Sequence, residues 1–451
     1  MKRDMTVGKP FHLLISFAVP HFLGLLLQQL YGIMDSVVVG RMLGADALAA
    51  VGTSTFIYNM LVMGAGSAMT GFSTVIARRV GAKDDEGIRQ AFYVALAMML
   101  CITAALYIIG FLSYRPLLSV MNTPAELMPD AAGYISAFLS GIVFLMLYNL
   151  LAGAIRAMGN SKIPFYILIV TSLCNVILNY IMIYFMHTVA AAAWATVICQ
   201  AISCVLGILA IWKKFPELHI RKANRKFSAS IAKSCLKIGV PMFMQSALIT
   251  GGGMIGQSAR NLFGTAVIAS YSAVSRCNSI MFAAYASIGA AMLTYCNQNL
   301  GAGKPERIHK GLKKARTMNL VAAVVYSLLM FFFVKWFILL FVGADSAQAE
   351  EMVAFAEYYR YFLIPGFMVV CLIEPYRNTL NSVGLSIVPV LACGQELITR
   401  SLFAYLAAKY HSKTMICMAE PATWILATIP LIAAYLWWYY KKLKPQMQEN
   451  A

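Results

Sequence analysis

The chain has 451 residues, of which 60% are hydrophobic and only 12% are charged. Soluble domains typically carry about 25% charged residues, so this composition excludes an ordinary soluble enzyme. Apolar stretches recur along the whole length, and in lipid such stretches must satisfy their backbone polar groups internally, which favours α-helices. The sequence therefore predicts an all-α membrane protein.

Twelve apolar segments are long enough to cross a bilayer, which takes about 20 residues per helix. They lie near 12–38, 47–76, 91–114, 131–153, 164–186, 189–212, 238–262, 266–298, 318–342, 353–380, 386–408 and 415–440. The segments between them are shorter than an ordinary soluble domain. We therefore expect a polytopic membrane protein of twelve transmembrane helices.

The net charge of +18 follows membrane topology better than nucleic-acid binding. Most of the 36 lysines and arginines lie at the two ends and in the connections after even-numbered spans. This distribution predicts a multi-pass protein of the cytoplasmic (inner) membrane with both termini in the cytoplasm. The basic segment 213–237 is then a cytoplasmic linker, and residues 441–451 are a cytoplasmic tail.

The ten cysteines lie mostly inside or beside apolar segments. They form no CxxC pair and have no histidine nearby at metal-ligand spacing. We interpret them as small packing residues and predict no metal site.

The two halves of the sequence repeat each other. Residues 81–88 recur 220 positions later as residues 301–308, with Gly, Ala, Glu and Ile in register. Further pairs at nearly the same offset are Pro20 with Pro241, Gly44 with Gly264, and Arg156 with Arg377. A single register held over this length predicts an internal duplication.

Six spans per repeat is an even number, so both halves enter the membrane in the same orientation. This arrangement predicts two pseudo-symmetric six-helix lobes, over residues 1–212 and 238–440. Two such lobes that rock against each other around a central cavity provide alternating access, which is typical of transporters.

Several motifs follow one another in a characteristic order. Residues 28–40 contain Gln28-Gln29 and Tyr31 to Asp35, and a Gly-Ala-x-x-x-Glu loop follows the second span. The segment 156–164 begins Arg156-Ala157-Met158-Gly159. Together they resemble the multidrug and toxic compound extrusion (MATE) transporters over essentially the whole chain.

The resemblance implies an antiporter that exports amphipathic, often cationic compounds against an inward flow of protons or sodium ions. The aspartate in the first span is similar to that of the DinF-like branch, whose coupling site lies in the N-terminal lobe. Asp35 matches that aspartate.

An aspartate within a membrane bundle costs about 2.5–3.5 kcal/mol near the centre of a span, so it needs partners or a water-filled cavity. Gln28 and Tyr31 lie seven and four residues before Asp35, on the same helical face. We favour a functional Asp35 because ionisable residues within a membrane are usually functional. The alternative is that Asp35 lies near the outer helix end and contacts interfacial water.

The resemblance also implies cation-coupling roles for Asn175, Asn179 and Thr196. In this branch an aspartate follows the first asparagine, whereas here the second position is Asn179. One carboxylate fewer weakens a sodium site, which uses several oxygens and more negative charge. The sequence therefore favours a proton on Asp35, with sodium as the alternative. Asn and Thr also join membrane helices by hydrogen bonds without any transport role.

The predicted substrate-cavity residues are Gln28, Tyr31, Asn149, Gln245 and Glu374. Pro20 removes a backbone hydrogen bond from the first span, so we predict a gating kink there; prolines are also common in membrane helices without such a role.

Three glutamates, Glu374, Glu396 and Glu420, lie in apolar segments of the second half. For all three we favour structural pairing, for example of Glu396 with Arg400 four residues later. Arg276 is a further candidate partner.

The chain contains no HExxH, no GxSxG and no GxxxxGK[ST] phosphate loop. We therefore expect no enzyme activity, no catalytic residues and no cofactor, with transport driven by an ion gradient. The expected partners are small amphipathic organic cations, the coupling cation and membrane lipid, but no nucleic acid. The alternative function is a lipid or lipid-linked oligosaccharide flippase of related two-lobe architecture.

Overall fold

A computed structural model describes residues 4–121, 123–342 and 348–449 of the chain. Over these residues the chain is almost wholly helical and contains fourteen α-helices and no β-strand. The helices are α1 Pro10–Leu43, α2 Ala45–Gly81, α3 Asp85–Val120, α4 Met128–Ser140, α5 Ile142–Ala157, α6 Lys162–Met186, α7 Val189–Lys214, α8 Ala229–Arg260, α9 Thr265–Gly301, α10 Glu306–Val342, α11 Ala349–Ser382, α12 Ile387–Tyr410, α13 Lys413–Trp438 and α14 Lys444–Glu449.

Within the described ranges, ten helices are long and apolar enough to cross a membrane. The pair α4 and α5, bent by 47° at Gly141, forms an eleventh candidate span. α2 has 37 residues and coincides with the second predicted span. Each of the twelve predicted spans overlaps one of these helices or the bent pair, so the prediction of an all-α polytopic membrane protein is confirmed.

Glycines with positive φ end corresponding helices in the two halves. Gly44 (φ 93°) and Gly264 (φ 88°) precede α2 and α9, and Gly159 (φ 79°) and Gly384 (φ 87°) follow α5 and α11. This left-handed region is costly for residues with a Cβ atom but open to glycine. The same backbone conformation at matching places supports the internal duplication.

The repeat offset changes along the chain. It is 220 residues at Gly44 and Gly264 but 225 at Gly159 and Gly384. The difference arises because α11 is one continuous helix of 34 residues, whereas α4 and α5 have 13 and 16. The predicted pairing of Arg156 with Arg377 is therefore wrong by one helical turn, and Arg156 corresponds to Asn381.

The described residues form two compact units. The first unit contains the residues up to Thr6 and Val19–Phe243, and the second contains Val7–Ala18 and the chain from Met244 onward. α1 and α8 each contribute to both units. The predicted linker 213–237 overlaps α8, which begins at Ala229; its role as a linker between lobes stays a prediction.

The core of the first unit is built mainly from α2, α3, α5 and α7. α2 also lies against the first part of α8, where a Cβ atom on Gly71 would lie 2.7 Å from Gly239 Cα. In the second unit α11 packs against α9, α10 and α13. All ten cysteines are free and most are buried, as expected of packing residues.

Candidate polar site and cavity of the first unit

Asp35 on α1 has hydrogen-bonding partners on α6. Asn179 donates from Nδ2 to Asp35 Oδ1 and also to Asn175 Oδ1, the latter over 2.8 Å. Asn175 and Asn179 are four residues apart on α6, so their side chains lie one above the other, and each is 1% exposed. The Asp35 carboxylate therefore lies at one end of two buried asparagine side chains that are hydrogen-bonded to each other.

The hydrogen bonds continue from α6 to α7 and back to α1. Asn175 Nδ2 donates to Thr196 Oγ1 over 3.2 Å, and the Thr196 hydroxyl lies 2.8 Å from the Tyr31 hydroxyl. Five predicted residues, Tyr31, Asp35, Asn175, Asn179 and Thr196, thus form one connected set, which we call the first-unit network. Buried polar groups in such a set stabilise one another because each satisfies a neighbour.

One atom of the first-unit network lacks a partner. Asn179 Oδ1 is buried and receives no hydrogen bond from any described residue. A buried acceptor without a donor costs about 1–3 kcal/mol. The first-unit network therefore has one hydrogen-bond acceptor, Asn179 Oδ1, whose bonding capacity is unused in this structure.

Four residues of the first-unit network line a cavity of about 520 Å³, namely Tyr31, Asp35, Asn175 and Thr196, whereas Asn179 is not a lining residue. Gln28 and Asn149, both predicted as cavity residues, also line it, together with the aromatic rings of Tyr58, Tyr134 and Phe138. Asp35 is the one acidic side chain among the described lining residues, and none of them is Lys, Arg or His. The described cavity wall thus combines aromatic, apolar and neutral polar side chains with a single carboxylate.

Sequence reasoning missed several polar residues of this wall, among them Thr171 and Gln200. Thr171 lies four residues before Asn175, and Gln200 lies four residues after Thr196; both line the cavity. The helical spacing of four from a predicted residue is the signal that would have found them.

A smaller cavity of about 40 Å³ is lined by Pro20, His21, Gln28, Asn149 and Arg156, among others. Gln28 and Asn149 line both cavities. Pro20 lies within the continuous helix α1, two residues after Ala18, the last α1 residue that groups with the second unit. Its predicted gating role stays a prediction.

The remaining predicted cavity residues belong to the second unit and have partners there. Gln245 exchanges hydrogen bonds of 3.2 and 3.3 Å with the amide of Asn381. Glu374 accepts from Arg377 and from Asn378, each over 2.9 Å. Their substrate-binding role therefore stays a prediction.

The three glutamates of the second half are ion-paired, as expected. Glu396 lies 2.9 Å from Arg377 but 3.9 Å from Arg400, the partner predicted from helical spacing. Arg400 lies closer to Glu420, at 3.1 Å. Arg276 is exposed on α9.

Known proteins match this chain over most of its length. The MatE family model matches residues 20–181 and 241–406, which lie in the two halves. The probable multidrug resistance protein YpnP of Bacillus subtilis is 28% identical over 361 residues, 79% of each chain. The probable multidrug resistance protein NorM of Bacillus cereus is 26% identical and covers 74% of this chain and 75% of its own length.

Solved structures share the fold. A crystal structure titled as MATE in the bent conformation superposes with a TM-score of 0.88 at 19% identity, covering 99% of this chain and 98% of that one. A MOP superfamily transporter from Pyrococcus furiosus gives 0.86 at 20% identity and 97% coverage of both chains. Assignment to the DinF-like branch stays a prediction. Since the family model covers most of both halves, the chain belongs to the MatE family of membrane transporters.

Proposed function

We propose that this chain is a proton-coupled antiporter that exports small amphipathic cations across the cytoplasmic membrane. The observation that carries the proposal is the cavity of about 520 Å³ whose wall bears Asp35 within the first-unit network. A binding space and a titratable group thus share one wall. An antiporter needs this proximity because substrate and coupling cation must compete.

The substrate class is proposed from the cavity wall. The faces of Tyr58, Tyr134 and Phe138 attract organic cations as well as apolar groups, and Asp35 supplies a negative charge. The names of YpnP and NorM describe those relatives as probable multidrug resistance proteins. An aromatic cavity of this size accommodates cations of different shape, which is what multidrug export requires.

The coupling role of Asp35 is proposed from its contact with Asn179. An ionised Asp35 accepts a hydrogen bond from Asn179 Nδ2. A protonated Asp35 becomes a donor, and a half-turn of the Asn179 amide would present Oδ1, which has no donor among the described residues, to it. The Asn175 amide must turn as well, so that its Nδ2 donates to Asn179 where its Oδ1 now accepts. The same asparagine can therefore serve both charge states of the carboxylate.

Proton coupling is preferred over sodium coupling because the first-unit network contains a single carboxylate. The first-unit network contains one carboxylate, three neutral oxygen-bearing side chains besides Tyr31, and no second acid. A single carboxylate is neutralised by one proton without further ligands, whereas sodium requires a shell of oxygens. Sodium is the alternative coupling cation.

In the proposed cycle, the transporter loads substrate from the cytoplasm and releases it outside, where a proton taken up by Asp35 displaces it. Pro20 is proposed as the bend in α1 that changes access to the cavity. We propose cytoplasmic termini from the positive-inside distribution, with the apolar helix faces in membrane lipid.

The flippase alternative calls for a cationic cavity that holds phosphate groups. The larger cavity has no Lys, Arg or His among its described lining residues. Arg156 and His21 line only the smaller cavity of about 40 Å³, which is far below the roughly 300–1,000 Å³ of typical ligand pockets. The charge of the larger cavity therefore favours a cationic substrate.

The test is efflux of a fluorescent amphipathic cation from proteoliposomes under separately imposed proton and sodium gradients. We expect the proton gradient alone to drive efflux in the native chain. Asp35→Asn should abolish gradient-driven efflux because the amide cannot take up a proton. The matched control is Asp46→Asn, the same substitution at an exposed residue of α2, which should transport normally.

Gradient-driven efflux by folded Asp35→Asn at the native rate would contradict the coupling role of Asp35. Efflux driven only by a sodium gradient would show that the coupling cation is sodium and not the proton. If the native chain moves no cation under either gradient, translocation of a fluorescent lipid in the same vesicles would favour the flippase.

A further inference from the structure

A buried set of charges joins three helices of the second unit. Arg377 on α11 pairs with Glu374 and with Glu396 on α12, each over 2.9 Å, and Arg400 on α12 pairs with Glu420 on α13 over 3.1 Å. We call these five residues the second-unit charge network. Apart from the predicted cavity role of Glu374, these residues have so far been assigned no role beyond ion pairing.

Each carboxylate of the network has an arginine of its own chain as a partner. The side chains of Glu396, Arg377 and Arg400 are 6%, 12% and 12% exposed, so an uncompensated charge among them would be costly. Tyr271 donates to Glu420 Oε1 over 3.3 Å, and the Arg260 guanidinium lies 3.9 Å from the centre of the Tyr271 ring. Three carboxylates thus pair with two guanidinium groups, and a third guanidinium, that of Arg260, lies over the Tyr271 ring.

The internal repeat relates this network to the first-unit network. α6 and α12 begin at Lys162 and Ile387, 225 residues apart, and α7 and α13 begin at Val189 and Lys413, 224 apart. α5 and α11 also end 225 residues apart. With an offset of 225, three polar residues of the first-unit cavity wall correspond to charged residues of the second unit: Asn149 to Glu374, Thr171 to Glu396 and Asn175 to Arg400. With the offset of 224 for α7 and α13, Thr196 corresponds to Glu420.

Corresponding residues make the same contact. Asn175 Nδ2 donates to Thr196 Oγ1 over 3.2 Å in the first unit, and Arg400 Nη2 donates to Glu420 Oε2 over 3.1 Å in the second. The amide donor and hydroxyl acceptor of the first unit thus correspond to a guanidinium donor and a carboxylate acceptor in the second unit.

The first helix of each repeat leaves room for this exchange. On the offset of Pro20 and Pro241, Tyr31 corresponds to Gly252. A Cβ atom on Gly252 would lie 3.2 Å from Arg400 Cδ, so the Arg400 side chain fills the space beside a missing side chain. On the same offset Asp35 corresponds to Gly256, which provides no carboxylate.

We propose that Arg400 is a tethered cation: its guanidinium group permanently occupies the second unit's counterpart of the first-unit network. Removing that group would expose a latent site for a free monovalent cation, formed by Glu396 and Glu420. In the native chain this site is already neutralised. The exchangeable cation is therefore confined to Asp35, a consequence that rests on the proposed function.

The test replaces the tethered guanidinium with a free one. Arg400→Ala is made in the Asp35→Asn background, so that the first-unit network offers no carboxylate to the probe, and the probe is methylguanidinium at millimolar concentration. We expect the Tm of the purified double variant to rise with methylguanidinium and to saturate. Neutral methylurea of similar shape should have no such effect.

The matched control is Arg276→Ala in the same background, which removes an exposed arginine of the same unit. It should show no saturable response. An equal response of the control, or no response of the Arg400→Ala variant, would overturn the proposal. The assay measures binding alone, so failure of gradient-driven transport leaves its outcome unaffected.

A second variant covers the case in which Arg400→Ala does not fold. Adding Glu420→Gln removes one charge of each sign, so the proposal expects Arg400→Ala/Glu420→Gln to fold and to lose the methylguanidinium response. Misfolding of this balanced variant, or a response as large as with Glu420 present, would contradict the tethered-cation assignment.

Discussion

For Asp35, the sequence predicted which residues lie nearby but not the hydrogen bonds that connect them. Helical spacing placed Tyr31 on the face of Asp35, and the family resemblance pointed to Asn175, Asn179 and Thr196. The hydrogen bonds that join them cross from α1 to α6 and α7, and such contacts depend on helix packing that no local pattern contains. The same holds for Glu396, whose nearer partner, Arg377, is on another helix.

The identity of residue 179 gives a prediction at this scale. Asn179→Asp would place a second carboxylate beside Asp35, which favours a cation that several oxygens can share. We expect a sodium gradient to drive little efflux in the native chain but to drive efflux in the variant at least as fast as a proton gradient does. Proteoliposome efflux under each gradient measures this change.

Asn261→Asp, at an exposed residue of the second unit, is the control and should keep the native preference. An Asn179→Asp variant that folds and remains insensitive to sodium would show that residue 179 does not select the cation.

Among the helices, turn signals and apolar runs were enough to predict the positions of the spans, because each span is defined locally by hydropathy. The break between α4 and α5 at Gly141 was not predicted, since its flanks are equally apolar. Close packing allows only glycine at this break, because a Cβ atom on Gly141 would lie 2.3 Å from Val197 Cγ2 on α7. The extra turn in α11 likewise shifted the register that the sequence suggested for Arg156.

Close approach of α2 and α8 gives a prediction at the scale of helices. Gly71→Ala would place a Cβ atom 2.7 Å from Gly239 Cα, which is backbone and cannot rotate away. We expect a loss of about 1–3 kcal/mol, typical of overpacking, seen as a lower Tm of the purified protein.

Gly52→Ala is the matched control on the same helix, because no atom of the residues that the structure describes lies within 4 Å of the added Cβ. It should leave Tm unchanged or raise it slightly. Equal Tm values for the two variants would contradict the close packing of α2 against α8.

At the scale of the whole molecule, the duplication was predictable because repeated loops and prolines keep their spacing. The divergence of the two halves was not, because it depends on which residues correspond after the extra turn in α11. Once α6 and α7 are aligned with α12 and α13 by their first residues, one half carries a neutral polar wall with Asp35, and the other carries ion pairs at corresponding positions. We therefore propose that the coupling cation is exchanged only in the N-terminal half, at Asp35.

The central claim is that substrate and proton compete for Asp35, and proton release on substrate binding tests it most directly. Tetraphenylphosphonium is added to purified protein in weakly buffered detergent solution at a pH where Asp35 is protonated, and released protons are counted per bound cation. The account predicts about one proton for the native chain and none for Asp35→Asn. Saturable binding to the native chain without proton release, or equal release by Asp35→Asn, would contradict it.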